Sequence, residues 1–356
     1  MKKVFLFLTI TSFAAFFTQA QSTYDWATES SNGYTYKYVK NDPFKTRFYT
    51  LKNGFTVIMG VNKAEPRLQT IIATKAGSNT DPANHTGLAH YLEHMLFKGT
   101  DKFGSLDWAK EKPCIDQIDQ LYEKYNSTTD EIARAAIYRT IDSVSGIAAK
   151  FAIANEYDKM MGNLGAKGTN AFTWYEQTAY VNDIPSNQIE RWLTVEAERF
   201  RSPVFRLFHT ELEAVYEEKN RSLDNDDWKT YEVLLANLFP THNYGQQTTI
   251  GTIEHLKNPS LLEIRKYFEK YYVPNNMCMI LAGDFDPDAV IKIVDEKFGT
   301  FVPKDVTPYN APKEADIITP IEKTVYGPKD EWVSIGYRFP GASSEEAKLL
   351  QVADRI

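Results

Sequence analysis

Five residues carry chemistry at a telling spacing: His90-Tyr91-Leu92-Glu93-His94. Successive residues of an α-helix turn by about 100°, so His90, Glu93, His94 and Phe97 share one arc while Leu88, Tyr91, Leu92, Met95 and Leu96 fall on the other side. Two imidazoles at i and i+4 stand one turn apart and can converge on a single Zn²⁺. Glu93 is near enough to take a proton from a water on that metal. Six His in 356 residues predict roughly 0.01 chance occurrences of two His four apart with an acidic residue just before the second. The bland alternative is a surface helix whose polar face carries two His.

Catalytic zinc keeps three protein ligands and leaves a place for water, so a third is needed. Only two cysteines occur and neither sits in a metal-type pair, which leaves His and carboxylates. The segment Glu211-Leu212-Glu213-Ala214-Val215-Tyr216-Glu217-Glu218 offers candidates. Glu211 and Glu218 share a helix face with small Ala214 between them, so that one could bind metal while the other orients the site. By spacing alone Glu217 competes with Glu218, and a solvated acidic helix would explain the segment equally well.

The elements that must position these residues alternate between strand and helix. Arg47–Leu51 and Phe55–Val61 read as a hairpin across Asn53-Gly54, and Arg67–Ala76 as a third strand. A helix is expected over about His85–Phe97, with Gly99 placed to end it. Ala171–Asn182 reads as one strand, Ser186–Phe200 and Thr210–Ser222 as helices, Leu261–Tyr272 as a helix stopping before Pro274. Met277–Gly283 reads as a buried strand and Pro287–Phe298 as a helix. From about Asp107 to Met161 strand signal is nearly absent, and apolar residues recur at helical spacing around a break at Asn126-Ser127-Thr128-Thr129. This reads as a helical hairpin inserted into the domain, either a flap or wall limiting substrate entry or a surface decoration. The whole is an α+β architecture, a mixed or antiparallel sheet covered by helices.

The chain's 43% hydrophobic and 24% charged composition excludes disordered, collagen-like and coiled-coil classes. Lys2 and Lys3, the apolar run Val4–Phe17 and then Thr18-Gln19-Ala20 read as a cleaved signal peptide over residues 1–20, implying export to the periplasm or the extracellular space. Removing it leaves 38 basic against 47 acidic residues, so nucleic acid is not expected as a partner. No other stretch is long and apolar enough to span a bilayer. Residues 21–305 are expected to form one domain containing the insertion at about 107–161. A stretch after Phe301 marked by Pro303, Pro308, Pro312 and Pro320 reads as a linker, and 306–356 as linker and the truncated start of a second domain, with a strand near Trp332 and an amphipathic helix at Ile356.

The pattern H-x-x-E-H is the inverted zinc-peptidase motif. His90–Thr100, reading HYLEHMLFKGT after Gly87-Leu88-Ala89, resembles the signature of the pitrilysin/insulinase family of zinc endopeptidases, which includes the mitochondrial processing peptidases. Glu211, Val215 and Glu218 match the family's later E-x-x-x-V-x-x-E segment. Gly168-Thr169-Asn170-Ala171 with Thr173 and Tyr180 resembles its substrate-binding strand, and Tyr272–Met277 with Gly283-Asp284 the end of its first domain. The resemblance implies a two-layer sandwich with one zinc held by His90, His94 and Glu218, and it makes Glu93 and Glu211 the catalytic and supporting glutamates. It places substrate backbone on Asn170, Ala171 and Thr173. It also implies two similar halves enclosing the substrate, the second of them mostly missing here and to be supplied by further chain or a partner subunit. The gap from His94 to Glu218 is longer than the family's usual one, which the helical block accounts for.

The chemistry expected is metal-assisted hydrolysis of peptides or unfolded proteins, Glu93 taking the water's proton and passing it to the leaving amine. Two rivals are a non-catalytic peptidase-like subunit acting in binding or assembly, against which the intact set His90, Glu93, His94 and Glu218 argues, and a metal-storing scaffold, for which Glu93 would have no task.

Overall fold

The computed structural model describes residues 24–353; the expected signal peptide lies outside them. Eight strands form one sheet: β1 Trp26–Ser31, β2 Tyr34–Val39, β3 Arg47–Thr50, β4 Thr56–Val61, β5 Arg67–Thr74, β6 Lys167–Thr173, β7 Thr178–Pro185 and β8 Met277–Gly283. Their spatial order is β1-β2-β3-β4-β8-β5-β7-β6. β4 and β8 run parallel, every other neighbouring pair antiparallel. Alternation along the central strands explains why one face is covered: Leu68 and Ile72 on β5, Met279 and Leu281 on β8 and Val57 and Met59 on β4 are fully or almost fully buried, while the intervening residues face outward.

The helices are α1 Leu88–Met95, α2 Trp108–Ser127, α3 Glu131–Ala148, α4 Glu156–Asn163, α5 Ile189–Arg201, α6 Phe208–Leu223, α7 Asp226–Leu238, α8 Asn243–Gln246, α9 Ile253–Lys257, α10 Leu261–Tyr271, α11 Pro287–Phe298 and α12 Glu345–Ala353. α5 and α11 pack on each other and on the sheet, and α1 lies between β6, α6 and α10. The result is an α+β sandwich.

Three expectations are corrected. The single strand over Ala171–Asn182 is a hairpin, β6 and β7, whose turn is closed by Trp174 N–H donating to Gln177 O and tied down by Ser78 and Asn79 amides on Trp174 and Tyr175 carbonyls. The helical hairpin is three helices: α2 and α3 are separated at the expected break, and α4 follows. No strand forms near Trp332; 301–343 runs without regular structure. With no strand beside it to pair with, that segment leaves Tyr326, Val333 and Ile318 more than four-fifths exposed.

α2 and α3 are not a free flap. Ile118, Tyr122, Ile137, Ile141 and Val144 are buried in the common core, and Arg265 of α10 pairs with Asp119 of α2 at 2.7 Å. Glu111, completely buried, pairs with Arg206 at 3.0 Å. Only the start of α4, at Asn155 and Asp158, faces the cleft described next.

Candidate metal centre

α1 has just eight residues, so its register depends on how its ends are fixed. Gly87, at φ 84°, turns the chain into the helix, and the buried Asp81 carboxylate accepts the Gly87 and Ala89 amides at 2.7 and 2.9 Å. That satisfies two of the amides every helix start leaves unpaired. A Cβ on Gly87 would come within 2.2 Å of Ile250 O, and one on Gly251, also at positive φ, within 2.3 Å of Thr86 O. The backbone at the helix start thus lies directly against the loop before α9. Leu88, Leu92, Met95 and Leu96 bury one side of the helix, each contributing about 1.5–3 kcal/mol.

The other side carries His90, Glu93 and His94. The His90 and His94 Nε2 atoms lie 3.2 Å apart, and Glu218 Oε2, from α6, is 3.7 Å from each. Tetrahedral zinc with its usual bond lengths separates its ligand atoms by about 3.3–3.6 Å, so the three side chains fit one ion. Their donors form the one group of three possible metal ligands among the described residues. Glu217, the neighbour that spacing left open, is exposed and stands outside this group.

The electrostatics suit the same arrangement. Burial, reinforced by His94, pushes His90 down to about 3, which keeps it neutral with a lone pair to give. Burial also pulls His94 down, but the Glu211, Glu93 and Glu218 carboxylates outweigh it and leave the ring raised. His94 Nδ1 meets Glu211 Oε1 at 2.8 Å, an arrangement that puts the proton on Nδ1 and turns Nε2 toward the metal place. Glu211 Oε2 meets Lys98 Nζ at 2.5 Å. Burial raises Glu211, yet bonds from His94 and Lys98 leave it lowered.

Glu93 is buried beside this group, and the Thr173 hydroxyl donates to its Oε2 at 2.6 Å. Burial raises the Glu93 carboxyl, with Thr173 and His94 opposing. Thr173 therefore faces the glutamate. Asn170 is exposed and Ala171 half-buried on β6, the sheet's last strand, whose outer edge is unpaired. All eight candidate residues, His90, Glu93, His94, Asn170, Ala171, Thr173, Glu211 and Glu218, line one cleft of about 810 Å³.

Some site residues stand outside the motifs the sequence displays. Asp81 caps α1 from outside it, and Lys98 meets a glutamate far along the chain. Trp174, Trp228, Thr249 and Ile250 complete the cleft from loops and α7. Of these, Lys98 alone had a local cue, standing four residues after His94 and just past the end of α1.

Residues 57–131 match the model of the insulinase family (peptidase family M16), and residues 260–356 match the peptidase M16 inactive domain. Both matches are to insulinase-family (M16) models, and in these two stretches the chain is similar to that family. The first match contains the His90–His94 helix. The second begins at α10 and runs across the boundary expected near residue 305. Among insulinase-family relatives, insulin-degrading enzyme of Drosophila melanogaster is 26% identical over 293 residues, covering 80% of this chain and 24% of the relative. Zinc protease PqqE of Helicobacter pylori is 24% identical over 315 residues, covering 86% and 60%. The chain thus spans about a quarter to three fifths of these relatives' length. A protease from Helicobacter pylori has the same fold, with a TM-score of 0.57 and 22% identity, covering 76% of this chain and 53% of that one. So does the first half of the periplasmic protease PqqL of Escherichia coli, with a TM-score of 0.54 and 18% identity, covering 76% and 50%. A zinc protease is thus among the proteins this chain is similar to.

Proposed function

We propose that the chain is an exported zinc endopeptidase, one zinc per chain, acting on peptides or unfolded proteins. The observation that carries the reading is the convergence of His90, His94 and Glu218 on one point with Glu93 buried beside it. Zinc held there would polarise a scissile carbonyl and acidify a water. Glu93, aimed by Thr173, takes the attacking water's proton and delivers it to the leaving amine. Glu211 fixes the His94 ring. The free edge of β6 at Asn170 and Ala171 receives the substrate's backbone by strand addition, which makes little demand on sequence.

Export is supported by the apolar run Val4–Phe17 and by likeness to a periplasmic protease. Among the described residues no helix is long and apolar enough to cross a membrane. The acidic balance of the chain argues against a nucleic-acid partner. We place the peptidase domain at 21–305 and the start of a second domain at 306–356. A second half, in the same chain or a separate one, is supported by the greater length of the relatives and would bring donors for the developing oxyanion.

The test is hydrolysis of an unstructured peptide by zinc-loaded chain, with and without a chelator, then with the second half added. The expected result is slow, chelator-sensitive cleavage that rises about a hundredfold to a thousandfold on addition. Zinc binding without cleavage in either case would favour the non-catalytic, peptidase-like subunit, a reading to which the inactive-domain match over 260–356 lends weight.

A further inference from the structure

A carboxylate that orients a metal-binding ring must itself be held, because a glutamate side chain has three rotatable bonds and loses its aim when only one oxygen is engaged. Glu211 has both oxygens engaged: Oε1 by His94 Nδ1 at 2.8 Å and Oε2 by Lys98 Nζ at 2.5 Å. The pair is shielded, the Lys98 side chain 17% and the Glu211 side chain 15% exposed, so it is not the screened surface pair that contributes little. Among the described residues Lys98 is also the one lysine or arginine in ion-pair contact with any of Glu93, Glu211 or Glu218.

Its own place is fixed from behind. The Lys98 carbonyl accepts Arg206 Nη1 at 2.6 Å, and Arg206 Nη2 donates to Thr100 O at 2.7 Å. Nε of the same guanidinium pairs with Glu111 of α2. Backbone and side chain of Lys98 are thus tied to two separate charges, one structural and one at the site.

We propose that Lys98 is a positioning residue for the metal centre: by holding Glu211 Oε2 it keeps Oε1 on His94 and so keeps the His94 Nε2 lone pair aimed between His90 and Glu218. This rests on the zinc reading above. A cation is required, and not merely a filler of the same length, because the partner is an ionised carboxylate.

The test measures zinc affinity of the full chain by competition with a chromophoric chelator, and the visible spectrum of its cobalt(II) form, for the parent, Lys98→Met and Lys98→Arg. Lys98→Met should bind zinc about 10- to 100-fold more weakly and change the cobalt spectrum, while Lys98→Arg retains most of the affinity. In a Glu211→Gln background, Lys98→Met should cost nothing further, since its partner charge is already gone. Lys98→Met binding as tightly as the parent, with an unchanged cobalt spectrum, would overturn the proposal. So would a full tenfold loss persisting in the Glu211→Gln background. A parent that binds no zinc would instead remove the metal reading itself. Unfolding curves of the apo forms separate a folding defect from a positioning one.

Discussion

The Thr173 hydroxyl donates to Glu93 Oε2 at 2.6 Å, joining the last strand of the sheet to the histidine helix at the glutamate we propose as the proton carrier. A hydrogen bond to a charged group contributes about 1.5–3 kcal/mol. Thr173→Val, which keeps shape and loses the hydroxyl, should therefore lower kcat about 10- to 100-fold with KM and zinc content unchanged. Thr173→Ser should keep most of the rate. Equal rates for Val and Ser variants would show that the hydroxyl does not aim Glu93.

Base and ligand should separate by substitution. Glu93→Gln keeps zinc and loses hydrolysis, whereas Glu218→Gln loses zinc at the chelator concentrations the parent withstands. Glu217→Gln changes neither, because Glu217 is exposed and stands outside the converging group. Metal analysis after dialysis decides the matter; a Glu93→Gln chain emptied of zinc would reverse the roles.

The cap on the histidine helix makes stability depend on pH. Burial pushes the Asp81 carboxyl up to about 8 from 3.8, against the pull of the Ala89 and Gly87 amides. A raised value means that the folded chain holds this proton more tightly than the unfolded one. Its contribution is full below about 4 and drains away as pH rises through about 8, at up to about 1.4 kcal/mol per pH unit. Urea midpoints of the parent should fall relative to Asp81→Asn between pH 5 and 9. A constant difference across that range would mean that Asp81 does not titrate there.

Glu111 reaches from α2 to Arg206, and both side chains are buried. Glu111→Ala leaves a buried guanidinium uncompensated and should cost about 3–5 kcal/mol of stability. Replacing 107–161 by a short linker should yield no folded chain at all, rather than the altered substrate-size preference a detachable flap would give. A stable, zinc-binding deletion variant would restore the decorative reading of this block.

What the sequence made legible followed from period and local chemistry. Met277–Gly283 and Pro287–Phe298 match the observed elements because a buried strand ends at a glycine and a helix begins at Asp286-Pro287, both local signals. His90, Glu93 and His94 were legible because one helix turn brings them together. The turn between β6 and β7 was not: Trp174–Gln177 holds no glycine, proline or asparagine, and its shape is imposed by Ser78 and Asn79 from elsewhere in the chain. β1 and β2 went unread although Asn32-Gly33, both at positive φ, is a strong hairpin turn. Spacing alone did not separate Glu218 from Glu217, and only the resemblance did; the two point about 100° apart around the helix, and the packing of α6 against α1 fixes which of them faces the histidines.

Gly87 and Gly251 touch through bare backbone, leaving no room for a methyl group on either side. Thr249 and Ile250, next to this contact, line the cleft, and His90 stands three residues beyond Gly87. A push on the cleft wall there has no soft side chain to absorb it and bears straight on the histidine helix. The two glycines thus form a bearing surface: a wedge as small as one carbon at either would lever helix and wall apart, and no change at the other, already the smallest residue, could take up the slack.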